Sequence, residues 1–129
     1  ALEAVQAAHR ESEGRIACAS GADRFKVEMQ LSKVGLMPFF EGNIFSGHEM
    51  PRSKPAPDVY LAAARHLQTP ATRCLVIEDT VPGVCAGVAA GAEVWAYCPQ
   101  SQAGAALLKA GASRLFAHMA QLPLLLAAS

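Results

Sequence analysis

Apolar positions along this chain fall into two rhythms. Short continuous runs of strand length recur at residues 15–19 (RIACA), 42–46 (GNIFS), 73–77 (RCLVI) and 93–98 (EVWAYC). Between them the apolar residues space out to the helical period: Val27, Leu31 and Val34 stand at i, i+4, i+7, and Val59, Ala62, Ala63 and Leu67 repeat the pattern after SKPAPD. A helix opens the chain across ALEAVQAAHRESEGR, and another follows IEDT, beginning near Val81 or Pro82. Past residue 98 the pattern gives a helix over about residues 102–110, a short edge strand at SRLF and a last helix near residues 117–126, with Gly111 and Pro123 punctuating that tail. Strand–helix alternation of this kind predicts an α/β, Rossmann-like parallel sheet flanked by helices on both faces.

Composition narrows the picture. The 129 residues, 52% of them hydrophobic, suit one compact domain, and no repeat, linker or compositional break marks a second. Eleven basic and eleven acidic residues cancel, so no basic stripe favours nucleic acid. The longest apolar stretches are too short to span a bilayer and no charged leader precedes them, so no membrane role is expected. The four cysteines (Cys18, Cys74, Cys85, Cys98) are dispersed, without a C-x-x-C pair or a histidine at ligand spacing. That argues against zinc and a disulfide scaffold and predicts a cytoplasmic setting. His9, His48, His66 and His118 are scattered and receive no role.

In open parallel sheets the ligand site lies beyond the carboxyl ends of the strands. The residues to inspect there are Ser20-Gly21, Gly47-His48, Glu78-Asp79 and Pro99-Gln100. Glu78 and Asp79 follow a strand directly. Two readings stand: Asp79 or Thr80 caps the next helix, or the two carboxylates form a Mg²⁺ site, since that ion takes one or two carboxylates plus waters and phosphate oxygens. Gly83, Gly87 and Gly91 stand four apart, as glycines do when one helix face lies close on a sheet. Lys54, held extended by Pro55 ahead of a helix opening at Pro57-Asp58, is either a solvated lysine or a fixed point charge for phosphate. Ser20, before Gly21 and a helix, is either an N-cap or part of an anion site made of hydroxyl and backbone donors.

The order strand-Ser-Gly-helix, then Lys-Pro-x-Pro-Asp, then strand-Glu-Asp-helix resembles three successive motifs of the haloacid dehalogenase-like hydrolases, in the branch of beta-phosphoglucomutase and phosphoglycolate phosphatase. The resemblance runs from about residue 1 to residue 99 and more weakly through the tail. It implies Mg²⁺-dependent phosphoryl transfer, by a phosphatase or phosphomutase, on a small phosphorylated metabolite. Ser20 and the Gly21 N–H would hold the phosphoryl group, Lys54 would neutralise it, and Glu78 with Asp79 would anchor Mg²⁺.

Two family parts have no counterpart in the sequence. The family attacks phosphate with an aspartate of an Asp-x-Asp-Gly motif on its first strand, and here the aspartates are Asp23, Asp58 and Asp79, none in such a motif. The helical cap that follows that strand is also absent. The resemblance therefore implies a partial core, residues 1–129, equivalent to the carboxyl-terminal part of a longer protein or the product of a gene without its front. The missing strand would sit between those ending at Ser20 and at Asp79. The expectation is that these strands close on each other, or that a missing amino-terminal segment, a partner chain or a homo-oligomer fills the gap. The rival reading is a non-catalytic binding or oligomerisation module; a phosphoacceptor receiver domain is disfavoured, since it needs a phosphorylated aspartate at a strand end within the chain and the resemblance leaves none available.

Overall fold

The computed structural model describes residues 2–128. In chain order the elements are α1 (Leu2–Glu11), β1 (Cys18–Ser20), α2 (Arg24–Lys33), α3 (Met37–Phe40), β2 (Ile44–Ser46), α4 (Asp58–His66), β3 (Leu75–Glu78), α5 (Val81–Ala89), β4 (Glu93–Tyr97), α6 (Gly104–Ala110), β5 (Arg114–Phe116) and α7 (Leu122–Ala128). Short 3₁₀ turns link several of them. The predicted alternation is present. The short α3, built on Met37-Pro38-Phe39-Phe40, lay outside the sequence reading, and Pro123 opens the last helix instead of interrupting it.

Among the described residues the strands form two parallel sheets: β1 pairs with β2, and β3, β4 and β5 pair in that order. β1 and β3 do not pair, which corrects the expectation that they close on each other. Helices hold the sheets apart and in register. Along β4 the side chains alternate, Val94 and Ala96 joining a core with Val76, Val84 and Leu107, and Trp95 joining a second core with Ala4, Phe116 and Leu122. On the Trp95 face α1 packs on α7 and reaches across to α3. On the Val94 face α4 packs on β1 and β2 and touches α5. Elements on the two sides of the slot between β1 and β3 are thus bridged by α1, through α7 and α3, and by α4, through β1, β2 and α5.

That slot explains a second departure. The run at residues 73–77 reads as a fully buried strand, yet only Val76 of β3 is buried and Ile77 is 37% exposed. All three residues of β1 are half-buried. No helix among the described residues is long and apolar enough to cross a membrane.

Glycine supports the close layers as expected at Gly87, where a Cβ would stand 2.7 Å from Val94 Cγ2 and 3.3 Å from Val76 Cγ1. Gly91 does not share that face. It lies beyond the end of α5 with φ +94°, a left-handed turn that glycine adopts at little cost.

Candidate active site

The carboxyl ends of β1 and β3 open into one cleft of about 430 Å³, lined by Ala19, Ser20, Gly21, Lys54, Ile77, Glu78, Asp79 and Thr80. All five residues singled out from the sequence meet there. They come from three separate stretches of chain, and the fold brings them together.

Ser20 ends β1. Its Oγ accepts the Ala22 N–H at 3.1 Å, closing a tight turn of its own, whereas α2 is capped by Asp23, whose carboxylate accepts from Lys26 N at 2.9 Å. Ser20 is therefore not the N-cap, and α2 starts at Arg24, two residues further on than the order strand-Ser-Gly-helix implies. The turn is anchored from beneath by Ser46, fully buried at the end of β2, whose hydroxyl donates to Ala22 O at 2.7 Å and accepts from His48 N at 3.2 Å. Gly21 is exposed, with nothing within 4 Å of where a Cβ would stand.

Lys54 lies in the loop before α4, ahead of a cis peptide bond to Pro55. Pro57 and Asp58 do open that helix, with Pro57 at the N-cap and Asp58 as its first residue, paired with Arg52 at 2.8 Å. Lys54 Nζ crosses the slot. It donates to Glu78 Oε2 at 2.6 Å and, more weakly, to Ala19 O at 3.4 Å, so one ammonium ties β1 to β3.

Glu78 closes β3, with its side chain only 8% exposed. Its Oε2 also accepts the Tyr60 hydroxyl, and its Oε1 accepts the Asp79 N–H at 3.0 Å. Burial pushes the Glu78 carboxyl up, but the hydrogen bonds from Lys54 and Tyr60 and the Lys54 charge outweigh it, leaving the group below its usual range. Burial, and then the Glu78 charge, push the Tyr60 phenol far above its ordinary value, so it stays a donor. Burial likewise raises the Cys18 thiol, against the opposing pull of Lys54.

Asp79 differs in kind from its neighbour. It is exposed, and no hydrogen bond or ion pair engages its carboxylate among the described residues. The helix cap is Thr80, whose hydroxyl accepts the Gly83 N–H at 3.1 Å, so Asp79 is free of that duty. Mg²⁺ asks for one or two carboxylates and takes the rest of its shell from water and phosphate. Asp79 fits that demand, with Glu78 beside it. No group of three or more His, Cys, Asp or Glu clusters among the described residues, which offer an acidic edge at this cleft.

Sequence reasoning missed Tyr60 and Ser46. Tyr60 sits among the apolar positions of α4, and only the placement of that helix over β1 reveals where its hydroxyl goes. None of the histidines lines the cleft: His66 pairs with Asn43, and His9 stacks edge-on with Phe39.

Comparison with known proteins identifies the family. The haloacid dehalogenase-like hydrolase family matches residues 1–91. The chain is 43% identical over 80 residues to the bifunctional riboflavin kinase/FMN phosphatase of Arabidopsis thaliana, a match covering 61% of the chain and 21% of that protein. It is 30% identical over 73 residues to the 6-phosphogluconate phosphatase of Escherichia coli (strain K12), covering 57% of the chain and 33% of the relative. Among solved structures, a HAD family hydrolase from Deinococcus radiodurans R1 with bound phosphate and sodium superposes with a TM-score of 0.85 at 33% identity, over 98% of the chain and 57% of that protein. The chain thus spans well under two thirds of each of these relatives. From the order of its motifs, their meeting in one cleft and the match over residues 1–91, the chain belongs to the haloacid dehalogenase-like hydrolases.

Proposed function

We propose that this chain forms the phosphate-holding part of a Mg²⁺-dependent phosphatase or phosphomutase acting on a small phosphorylated metabolite. It would act together with a strand-bearing segment outside residues 1–129 that contributes the nucleophilic aspartate. The observation that carries this reading is the single cleft in which Ser20, Gly21, Lys54, Glu78 and Asp79 converge. A serine hydroxyl, a glycine backbone and an ammonium line this one cleft, the kinds of donor that a tetrahedral dianion needs. Ser20 and Gly21 bind the phosphoryl oxygens, and Lys54 stabilises their charge. Bound at the acidic edge of Asp79 and Glu78, Mg²⁺ would supply charge neutralisation and orientation to the phosphoryl group. The phosphatase relatives and the phosphate-bound structural neighbour favour the same substrate class. The free cysteines suit a reducing, cytoplasmic compartment.

A second reading uses the same slot. The open edges of β1 and β3 would serve a non-catalytic module that binds a strand or a second copy of itself. One experiment separates the two. A polypeptide carrying an Asp-x-Asp-Gly strand and a cap, taken from a relative, is mixed with the 129-residue chain, and hydrolysis of p-nitrophenyl phosphate is followed with Mg²⁺. The catalytic reading expects turnover only in the mixture. Lys54→Ala should then lower kcat/KM by about 100-fold or more, the scale of one preorganised oxyanion donor. Asp79→Ala should cost at least as much. Association without turnover, or a Lys54→Ala variant as active as the parent, overturns the catalytic reading and leaves the binding module.

A further inference from the structure

Tyr60 touches two of the charged residues that line the cleft, Lys54 and Glu78. Its hydroxyl donates to Glu78 Oε2, the oxygen that also receives Lys54 Nζ at 2.6 Å, and its ring lies beneath that ammonium, 5.0 Å from Nζ to the ring centre. Its remaining surface packs on the core around Val76 and Val84, so the ring is fixed by the helix that carries it. The opposite side of the carboxylate is shaped by a missing side chain. A Cβ at Gly83 would stand 2.0 Å from Glu78 Cδ, so the first turn of α5 leaves a recess that the carboxylate occupies. With Oε1 bonded to the Asp79 N–H, both oxygens of Glu78 are committed to protein donors, while the Asp79 carboxylate has none among the described residues.

Resting on the reading above, we propose that Tyr60 is a positioning residue that divides the two adjacent acids into separate roles. Held by Tyr60 in the Gly83 recess, Glu78 is a fixed counter-charge that aims Lys54 across the slot. Asp79 is left as the carboxylate that meets the cation directly. The tyrosine hydroxyl is essential to this division, because it satisfies Glu78 without adding charge. An ammonium alone on Oε2 would leave the carboxylate free to swing toward a cation at Asp79. The ring contributes separately, through its face on Lys54.

Tyr60→Phe in the full 129-residue chain isolates the hydroxyl, since it keeps the ring, the packing and the cation contact. In metal-free buffer, ¹⁵N NMR of the lysine ammonium groups should show a slowly exchanging Lys54 signal in the parent. That signal should be lost or broadened in Tyr60→Phe and in Glu78→Gln, with the Tyr60→Phe melting temperature within a few degrees of the parent. Titration with Mg²⁺, followed by the side-chain carboxyl ¹³C resonances, should move Asp79 and leave Glu78 in place in the parent, and move both in Tyr60→Phe. Gly83→Ala, which fills the recess, should reproduce the Tyr60→Phe pattern. A Lys54 signal indifferent to Tyr60→Phe, or a parent Glu78 resonance that follows Mg²⁺ as Asp79 does, overturns the proposal. These readouts need no turnover, so they fail or succeed independently of the phosphatase assay. In the reconstituted mixture, Tyr60→Phe should lower kcat about tenfold with KM within about twofold; a loss confined to KM would also count against it.

Discussion

Glu78 is a carboxylate whose burial should disfavour its charge and whose donors more than reverse that. Because its folded pKa lies below its unfolded value, the stability it contributes is fully present above the ordinary glutamate range, about 4.3, and is lost as the pH falls through the lower folded value. In EDTA, the melting temperature of the parent should therefore fall more steeply than that of Glu78→Gln as the pH is lowered from about 6 to about 3. Equal slopes would mean that Glu78 holds no special place in the fold. At this scale the sequence was informative for five residues, since a Ser-Gly, a Lys-Pro and a Glu-Asp each sit where a strand or turn ends and chemistry is visible by type. Tyr60 and Ser46 were not legible. Their roles depend on which backbone or carboxylate lies across from them in three dimensions, and a tyrosine or serine in an apolar segment looks like packing until that neighbour is known.

The helix after the acidic pair shows what local pattern can and cannot say. Its start was legible to within one residue, because Thr80 and Pro82 are N-terminal signals, and its close seat on the sheet followed from Gly87. Its end was misread, since a four-residue spacing of glycines cannot reveal that Gly91 has already left the helix. The seat can be tested. Gly87→Ala gains helix propensity but drives a methyl against Val94 and Val76, two buried core residues, and overpacking of that kind costs about 1–3 kcal/mol. Urea unfolding should show a net loss, while Gly21→Ala, with open space around it, should lie within about 0.5 kcal/mol of the parent. A Gly87→Ala variant as stable as the parent would mean that α5 rides further from the sheet than a 2.7 Å approach to Val94 Cγ2 allows.

The fold class was legible from alternation alone, but the division into two sheets was not. Pattern tells which segments are strands and is silent on whether neighbours in the expected order touch. What overrides the tendency of open edges to pair is the packing of α1 and α4, each anchored to elements on both sides of the slot, so that closing the gap would mean repacking two cores. The edge strands should therefore be the least protected part of the sheets. In hydrogen exchange, amides of β1 and β3 facing the slot should exchange much faster than those of β4, which is paired on both sides, and should slow on addition of the strand-bearing polypeptide. Protection of those amides in the chain alone, together with a dimer by light scattering, would show a second copy filling the slot.

The helices that bridge the slot also bear on how anything enters it. If a separate strand-bearing piece fills it, as proposed, that strand would have to thread lengthwise from one end, past the Lys54 ammonium that crosses between Ala19 and Glu78, or wait until α1 or α4 lifts. Such an assembly would then be gated by a motion of this chain. Above some concentration of the incoming piece, the rate of joining becomes a property of the host's own opening, and adding more of the guest no longer hastens it.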